Sequence, residues 1–567
     1  MLHVLLVAAA AAAAVGEDLP PTCDRPVYCD SDLLHYVQTA RLFPDSKTFV
    51  DMHMRDDPED ILEAFDNLLN STQRNPTKEQ IKEFVDEHFF MESELESWMP
   101  PDFEENPPFL LGIRDEKLRQ YGKDIHAIWP SLGRKVRSTV LDNPSRFSLI
   151  PIDNGFIIPG GRFREIYYWD TYWIIEGLLL GGMTETARGM IENLIELLKK
   201  LGHVPNGSRW YYQERSQPPL LSAMMFKYIR KTGDLPFLRE NINHLEKELN
   251  YWLDTQIISL NIGGNTYSLL RYYAPSKGPR PESYIEDYNT ADNMKSEDRK
   301  QEYYTNIKSA AESGWDFSSR WFINDEGGNS GNLSTIDINN IIPVDLNSIY
   351  ANALQNMAYF EGLLKNPRRA MHWAYLAKQW RYNIEKVFWD EQDGIWYDYD
   401  MKNEKHRKYF YPSNVAPLWM GAIDKRVILK HSARILEYLK NSHGLDFPGG
   451  VPTSLIRSGE QWDFPNAWPP LVSIVVNALE ALGTREGKKV AFDVAETWVR
   501  ACRKGFLENK QMFEKYDAEV PGNYGAGGEY TVQSGFGWTN GVVLDFLAKY
   551  GRTLKAEDSL GKNDSEK

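Results

Sequence analysis

Seven carboxylates in this sequence sit among aromatic, arginine or glycine residues rather than on ordinary polar faces: Asp170, Glu282, Asp316, Asp463, Glu514, Asp517 and Glu529. A pair of such groups is what glycoside hydrolysis needs, one to protonate the leaving oxygen and one to act on the opposite face of the sugar. Asp316 is flanked by Trp315 and Phe317. An apolar surround raises a carboxyl pKa and favours the proton-bearing form that a general acid requires. Glu514 follows Phe513 and opens a glycine-rich stretch. Each of these acids has a plainer use as a helix cap or ion-pair partner, and chemistry alone leaves open which two would be catalytic.

The stretch 159–173, PGGRFREIYYWDTYW, mixes these chemistries most densely. Its aromatics offer flat apolar faces, its arginines offer forked donors, and Glu165 and Asp170 accept hydrogen bonds in pairs. A ligand rich in hydroxyls but with C–H faces fits that mixture better than a phosphate or a lipid does. The structural alternative is a helix entry whose charges pair with one another.

Other chemistries lack their residues. The 11 histidines form no HExxH or comparable spacing and the three cysteines form no CxxC, so a metal site is not expected. GxSxG is absent. The glycines of 522–541 match neither a P-loop nor a dinucleotide fingerprint and read better as a lid, with Glu529 reaching down from it. The formal net charge of −16 disfavours nucleic acid, anionic membranes and polyanionic substrates, but leaves a neutral ligand unaffected.

The N-terminus is an apolar run, Leu5 to Val15, with the first acidic charge at Glu17. It reads as a secretory signal, residues 1–16, although its only basic group is His3. No later run is long and apolar enough to span a bilayer, so a soluble, secreted protein is expected. Cys23 and Cys29 lie close enough to pair in an oxidising compartment, and Cys502 reads as a buried thiol. Sequons stand at Asn70, Asn206, Asn332 and Asn563. The charged tail, residues 552–567, reads as disordered.

The elements that must position this chemistry are helices. Residues 17–105 read as an extension packed on the main domain, with helices over Asp30–Leu42 and Glu79–His88 and with Phe49, Phe65, Phe84, Phe89 and Phe90 needing a surface. Over residues 106–551 six strongly apolar helices recur: Tyr168–Leu180, Pro219–Ile229, Leu346–Leu364, Ala416–Ile423, Leu471–Leu482 and Trp538–Tyr550. Amphipathic partners begin at Thr184, Asp234, Asn366, Asp424 and Thr484, with Gly112–Val136 as a sixth, and Gly202, Gly233 and Gly551 mark helix stops. An inner ring of six helices inside an outer six, an all-α (α/α)6 barrel, buries this pattern economically. An open helical solenoid is the alternative. Strand signals are confined to short pieces such as Thr266–Leu270 and Gly394–Tyr399.

The unusual stretches all precede inner helices: 159–170 the first, 206–219 the second, 271–343 the third, 461–470 the fifth and 514–540 the sixth. Inner helices of antiparallel hairpins start at one end of the barrel, so these loops converge on one mouth.

PGGRFREIYYWD and QWDFPNAWPP resemble the two signature motifs of the inverting α,α-trehalase family. The resemblance extends through NGSRWYYQERSQPP, GPRPESY, ESGWDFSSRW, EKYD and GFGWTNGV, from about Asp45 to Leu547, and is nearest in kind to the soluble secreted animal type. It implies an (α/α)6 barrel that hydrolyses trehalose, a small neutral disaccharide, without a cofactor. By motif, Asp316 resembles the general acid and Glu514 the general base. Arg162, Trp169, Asp170, Asn206, Arg215, Ser216, Gln217, Arg280, Glu282, Gly314 and Glu529 resemble sugar-binding residues, with Asn206 then expected to stay unglycosylated. One departure is Ala526, which interrupts the glycine run. An inverting mechanism implies carboxyls roughly 6.5–9.5 Å apart, leaving room for a water. A different sugar hydrolase acting on α-glucan, and a non-catalytic sugar-binding protein, remain the alternatives.

Overall fold

The computed structural model describes residues 19–556. The expected signal segment 1–16, the sequon at Asn563 and the tail from 557 onward lie outside the described residues.

Six inner helices form a closed ring: Asp170–Leu180, Leu221–Thr232, Val344–Leu363, Ala416–Trp419, Pro469–Ala481 and Gly537–Tyr550. Each packs on the next, and the sixth packs back on the first. Outside them lie Glu116–His126, Thr184–Leu201, Leu235–Gln256, Pro367–Phe388, Lys425–Asn441 and Arg485–Asn509. The molecule is therefore an (α/α)6 barrel, with the ring closed rather than left as an open solenoid. Pattern explains the sorting. In Pro469–Ala481 the residues from Leu471 to Val476, with Ala478 and Leu479, are buried all round, whereas outer helices bury one stripe.

The ring closes through two glycines. A Cβ on Gly541 of the sixth inner helix would stand 2.0 Å from the carbonyl oxygen of Trp173, and one on Gly177 of the first would stand 2.9 Å from the Cα of Gly541. No side chain fits between these backbones.

Three expected start signals cap their helices. Asp234 accepts from the N–H of Phe237, Asp424 from that of Arg426, and Thr484 from that of Gly487. Thr184 does not cap. Instead Asp102 of the preceding segment accepts from the N–H groups of Glu185 and Thr186 at 2.7 and 3.0 Å, capping the helix from outside. Asn366 does not cap either; its amide donates to Glu361. The fourth inner helix is shorter than its apolar run, because Gly421 at φ +60° turns the chain away. Gly202 and Gly233 stop helices in the left-handed region. Gly551 has φ −58° and is needed for closeness, since a Cβ there would lie 2.4 Å from the carbonyl of Leu547.

Short hairpins complete the fold. Asn265–Leu270 pairs antiparallel with Ile257–Ile262, a strand the periodicity did not indicate, across the turn Gly263–Gly264. In the N-terminal segment the helices are Asp32–Thr39, Lys78–His88 and an additional one, Pro58–Ser71, whose Ile61, Phe65 and Leu69 carry a helical period. Phe49, Phe65, Phe84 and Phe89 are buried in a cluster with Tyr167, Tyr211 and Tyr212 of the barrel loops, while Phe90 is half-buried. Cys23 and Cys29 are disulfide-bonded, and Cys502 is a buried free thiol. No helix among the described residues is long and apolar enough to cross a membrane.

Replacing Gly541 by Ala should destabilise the protein by about 1–3 kcal/mol, the usual scale of an overpacked core. Chemical denaturation checks this, and an unchanged midpoint would contradict the closure described here.

Candidate active site

The converging loops wall a cavity with about 700 Å³ of atom-free space, part of it open to solvent. Arg162, Trp169, Asp170, Asn206, Arg215, Gln217, Arg280, Glu282, Gly314, Asp316, Glu514 and Glu529 all line it. Ser216 lies just outside. Its hydroxyl donates to the carbonyl of Val204 at 2.6 Å and its N–H to Glu312, so it braces the wall. The segment before the fourth inner helix contributes no lining residue.

The lining also includes residues that sequence reasoning did not single out. Tyr530, Trp462, Trp468, Trp538, Phe163 and Tyr212 lie within stretches already suspected, and the aromatic crowding was their signal. Lys47 comes from the N-terminal segment, in the stretch DSKTFVDM where the family resemblance begins, and was given no role there. Trp462 and Trp468 stack at 3.8 Å, and Trp169 and Trp538 pack against them at 5.7 Å, giving one end a rigid aromatic wall.

The two carboxyls singled out by motif have different surroundings. Burial pushes the Asp316 carboxyl up to about 7, against the pull of Arg280. Burial also raises Glu514, but several groups favour its ionised form. Tyr530 Oη donates to its Oε1 at 2.8 Å and the N–H of Gln533 to its Oε2 at 3.2 Å, while Lys515 and Arg162 add positive charge nearby. Burial raises Asp170 well above the carboxylate range, with Glu514 and Asp316 adding repulsion. Asp463 and Asp517 do not line the cavity. Asp517 takes the N–H groups of Glu519 and Val520 in a turn.

Polar atoms are left free for a ligand. Arg215 pairs with Glu282 through Nη2, leaving its Nε and Nη1 without partners, and the second oxygen of Glu282 and the Nε of Arg162 are likewise unpartnered. Burial would raise Glu282, but Arg215 and Arg280 hold it below its ordinary pKa. These buried groups can trade donors and acceptors with hydroxyls.

The glycine-rich loop is folded down over this set. Glu529 accepts from Arg280 Nη2 at 2.9 Å and from the Ser283 hydroxyl at 3.1 Å. Lys515 Nζ donates to the carbonyls of Ala526 and Gly527, and Asn466 Oδ1 accepts from the N–H of Ala526. Among the described residues no cluster of His, Cys, Asp or Glu is arranged to hold a metal ion.

Comparison with known proteins gives the family. The family model described as Trehalase matches residues 41–551. A trehalase of Bombyx mori is 61% identical over 546 residues, 96% of this chain and 94% of that protein. A trehalase of Homo sapiens is 44% identical over 545 residues, 96% of this chain and 92% of that protein. In three dimensions the neutral trehalase of Saccharomyces cerevisiae superposes with a TM-score of 0.56 at 24% identity, covering 70% of this chain and 74% of that one, a likeness of fold. With a sequence match across nearly the whole barrel and the motif residues gathered at one mouth, the chain belongs to the trehalase family.

Proposed function

We propose that this chain hydrolyses α,α-trehalose to two glucose molecules with inversion, with Asp316 as general acid and Glu514 as general base. The observation that carries the assignment is the contrast between two carboxyls lining one cavity. Asp316 sits near 7 and can hold a proton at neutral pH, whereas Glu514 has a hydroxyl, an N–H and two cations favouring its charged form.

In the reaction Asp316 gives its proton to the interglycosidic oxygen as the bond to one anomeric carbon breaks. Glu514 takes a proton from a water that attacks that carbon from the opposite face. The attacked glucose leaves as the β anomer and the other keeps the α configuration. Arg162, Arg215, Arg280, Asn206, Gln217, Asp170, Glu282 and Glu529 bind hydroxyls, with Ser216 acting through its neighbours. Trp169 supplies an apolar face and Gly314 lets the chain pass beneath it. The step uses only water and the two carboxyls. An α-glucan chain would need an open cleft, and the loop tied down through Glu529 argues against one.

The same reading divides the chain into a signal peptide (1–16), an extension (17–105), the catalytic barrel (106–551) and a tail (552–567), in a secreted glycoprotein. The Cys23–Cys29 disulfide and the exposed sequons at Asn70 and Asn332 support secretion. Asn206 is buried in the cavity wall, which argues against a glycan there.

Proton NMR in the first minutes of turnover should show β- and α-glucose in equal amounts, and Asp316→Asn and Glu514→Gln should each lower kcat by roughly 10²–10⁴-fold, the range of general acid and base catalysis. Early α-glucose alone would mean retention and another mechanism. Turnover of starch but not trehalose would favour the glucanase alternative, and binding without turnover a sensor.

The pH profile of kcat/KM should fall above about 7 as Asp316 loses its proton, and fall in acid as Glu514 gains one. Tyr530→Phe removes a donor to the charged Glu514, so its pKa rises and the acid limb moves to higher pH while the alkaline limb stays. An acid limb that does not move would remove Tyr530 from that role.

A further inference from the structure

The loop carrying Asp316 is held mainly from outside its own helix. Glu297–Glu312 ends four residues earlier, and Gly314 intervenes at φ +78°, with the Trp169 ring filling the space its Cβ would need. The hold comes from residues 461–463, which grip 316–319 in sequence. Gln461 Nε2 donates to the Asp316 carbonyl at 2.5 Å, and the N–H of Trp462 donates to the Phe317 carbonyl at 3.0 Å. Asp463 takes the next two residues. Its Oδ1 accepts the hydroxyls of Ser318 and Ser319 at 3.0 and 2.8 Å, and its Oδ2 accepts the N–H of Ser319 at 2.6 Å. The hydroxyls of Ser454 and Ser458 fill its remaining positions. Asp463 is 0% exposed and does not line the cavity, so its carboxylate is engaged by these donors rather than turned to the site.

We propose that Asp463 is the positioning residue of the general acid: by holding Ser318 and Ser319 it fixes where the Asp316 carboxyl stands relative to the interglycosidic oxygen. This rests on the reading of Asp316 as the acid. A proton donor works only within hydrogen-bond reach of its target, and a displacement of about 1 Å costs on the order of 10²-fold in rate. A carboxylate that merely supports the fold would weaken every activity of the enzyme alike.

The discriminating experiment compares trehalose with α-D-glucosyl fluoride, whose leaving group departs without needing a proton. Asp463→Ala should lower kcat on trehalose by about 10²-fold, as a misplaced group does, with KM and fluoride turnover each kept within about threefold. Asp463→Asn is isosteric and serves if the alanine variant does not fold. Its amide oxygen keeps the Ser319 N–H, but its NH2 faces three hydroxyls, so a loss of about tenfold on trehalose is expected with fluoride again spared. Equal losses on both substrates, or undiminished trehalose turnover in the folded variants, would overturn the proposal. Asp316→Asn is the control for the parent reading. If it loses fluoride and trehalose turnover equally, Asp316 is not the acid, whatever Asp463 does.

Discussion

The structure depends on taking several ionisable groups out of water at one end of a helical ring. Removing a charge from water costs several kcal/mol unless partners replace the lost solvent. Asp170, Glu282, Glu514, Arg215 and Arg280 are buried at this mouth, and Asp316 is half-buried there. Some are satisfied: Arg280 makes a two-pronged pair with Asp287 and also reaches Glu529. Others are left short, namely the free atoms of Arg215 and Glu282 and the carboxyl of Asp316 held near 7. Those open positions can be completed by a hydroxyl-rich ligand, while burial, against the pull of Arg280, raises the Asp316 carboxyl into the range where it can carry a proton at neutral pH.

The same constraint gives the N-terminal segment its place. Lys47 pairs with Asp51 at 2.6 Å and with Glu165 at 2.8 Å, and Arg209 pairs with Glu94 at 2.6 Å and reaches Glu165 at 3.4 Å. Glu165 and Arg209 belong to barrel loops, whereas Lys47, Asp51 and Glu94 come from the extension. Without it, Glu165 and Arg209 would keep each other but lose Lys47 and Glu94, and breaking a buried pair typically costs about 3–5 kcal/mol. Asp45 holds Arg162 from the same side at 2.8 Å. The extension is thus a charge-balancing wall of the cavity as well as a cover for aromatic surface.

The glycine-rich loop covers part of this mouth. Its glycines are set by closeness as much as by backbone angle. A Cβ on Gly525 would stand 2.2 Å from Asn466 Oδ1, and one on Gly527 2.5 Å from the Gly459 carbonyl. The loop lies flat on residues 459–466, the stretch whose Gln461, Trp462 and Asp463 grip the Asp316 loop. The glycine-rich loop and the Asp316 loop therefore share one supporting surface.

The sequence alone determined the ring and the mouth. Helical periodicity sorted inner from outer helices because burial on all sides and burial on one stripe leave different patterns. The motif stretches fell before inner helices, and hairpin geometry then required them to meet. Glu282 and Glu529 were legible as carboxylates among arginine or glycine, and Arg215 and Arg280 through the resemblance of the motifs that carry them to the trehalase family. Tertiary structure decided what local pattern does not encode. Lys47 reaches the cavity across more than a hundred residues of chain, and Asp102 caps a helix it precedes by some eighty, so neither has a sequence neighbour that reveals its task. Ser216 sits inside a motif yet turns its hydroxyl to a backbone carbonyl, because adjacent residues on an extended segment face opposite sides. Asp463 reads in sequence like any candidate acid. Only the tertiary structure shows it outside the cavity lining with five donors folded around it.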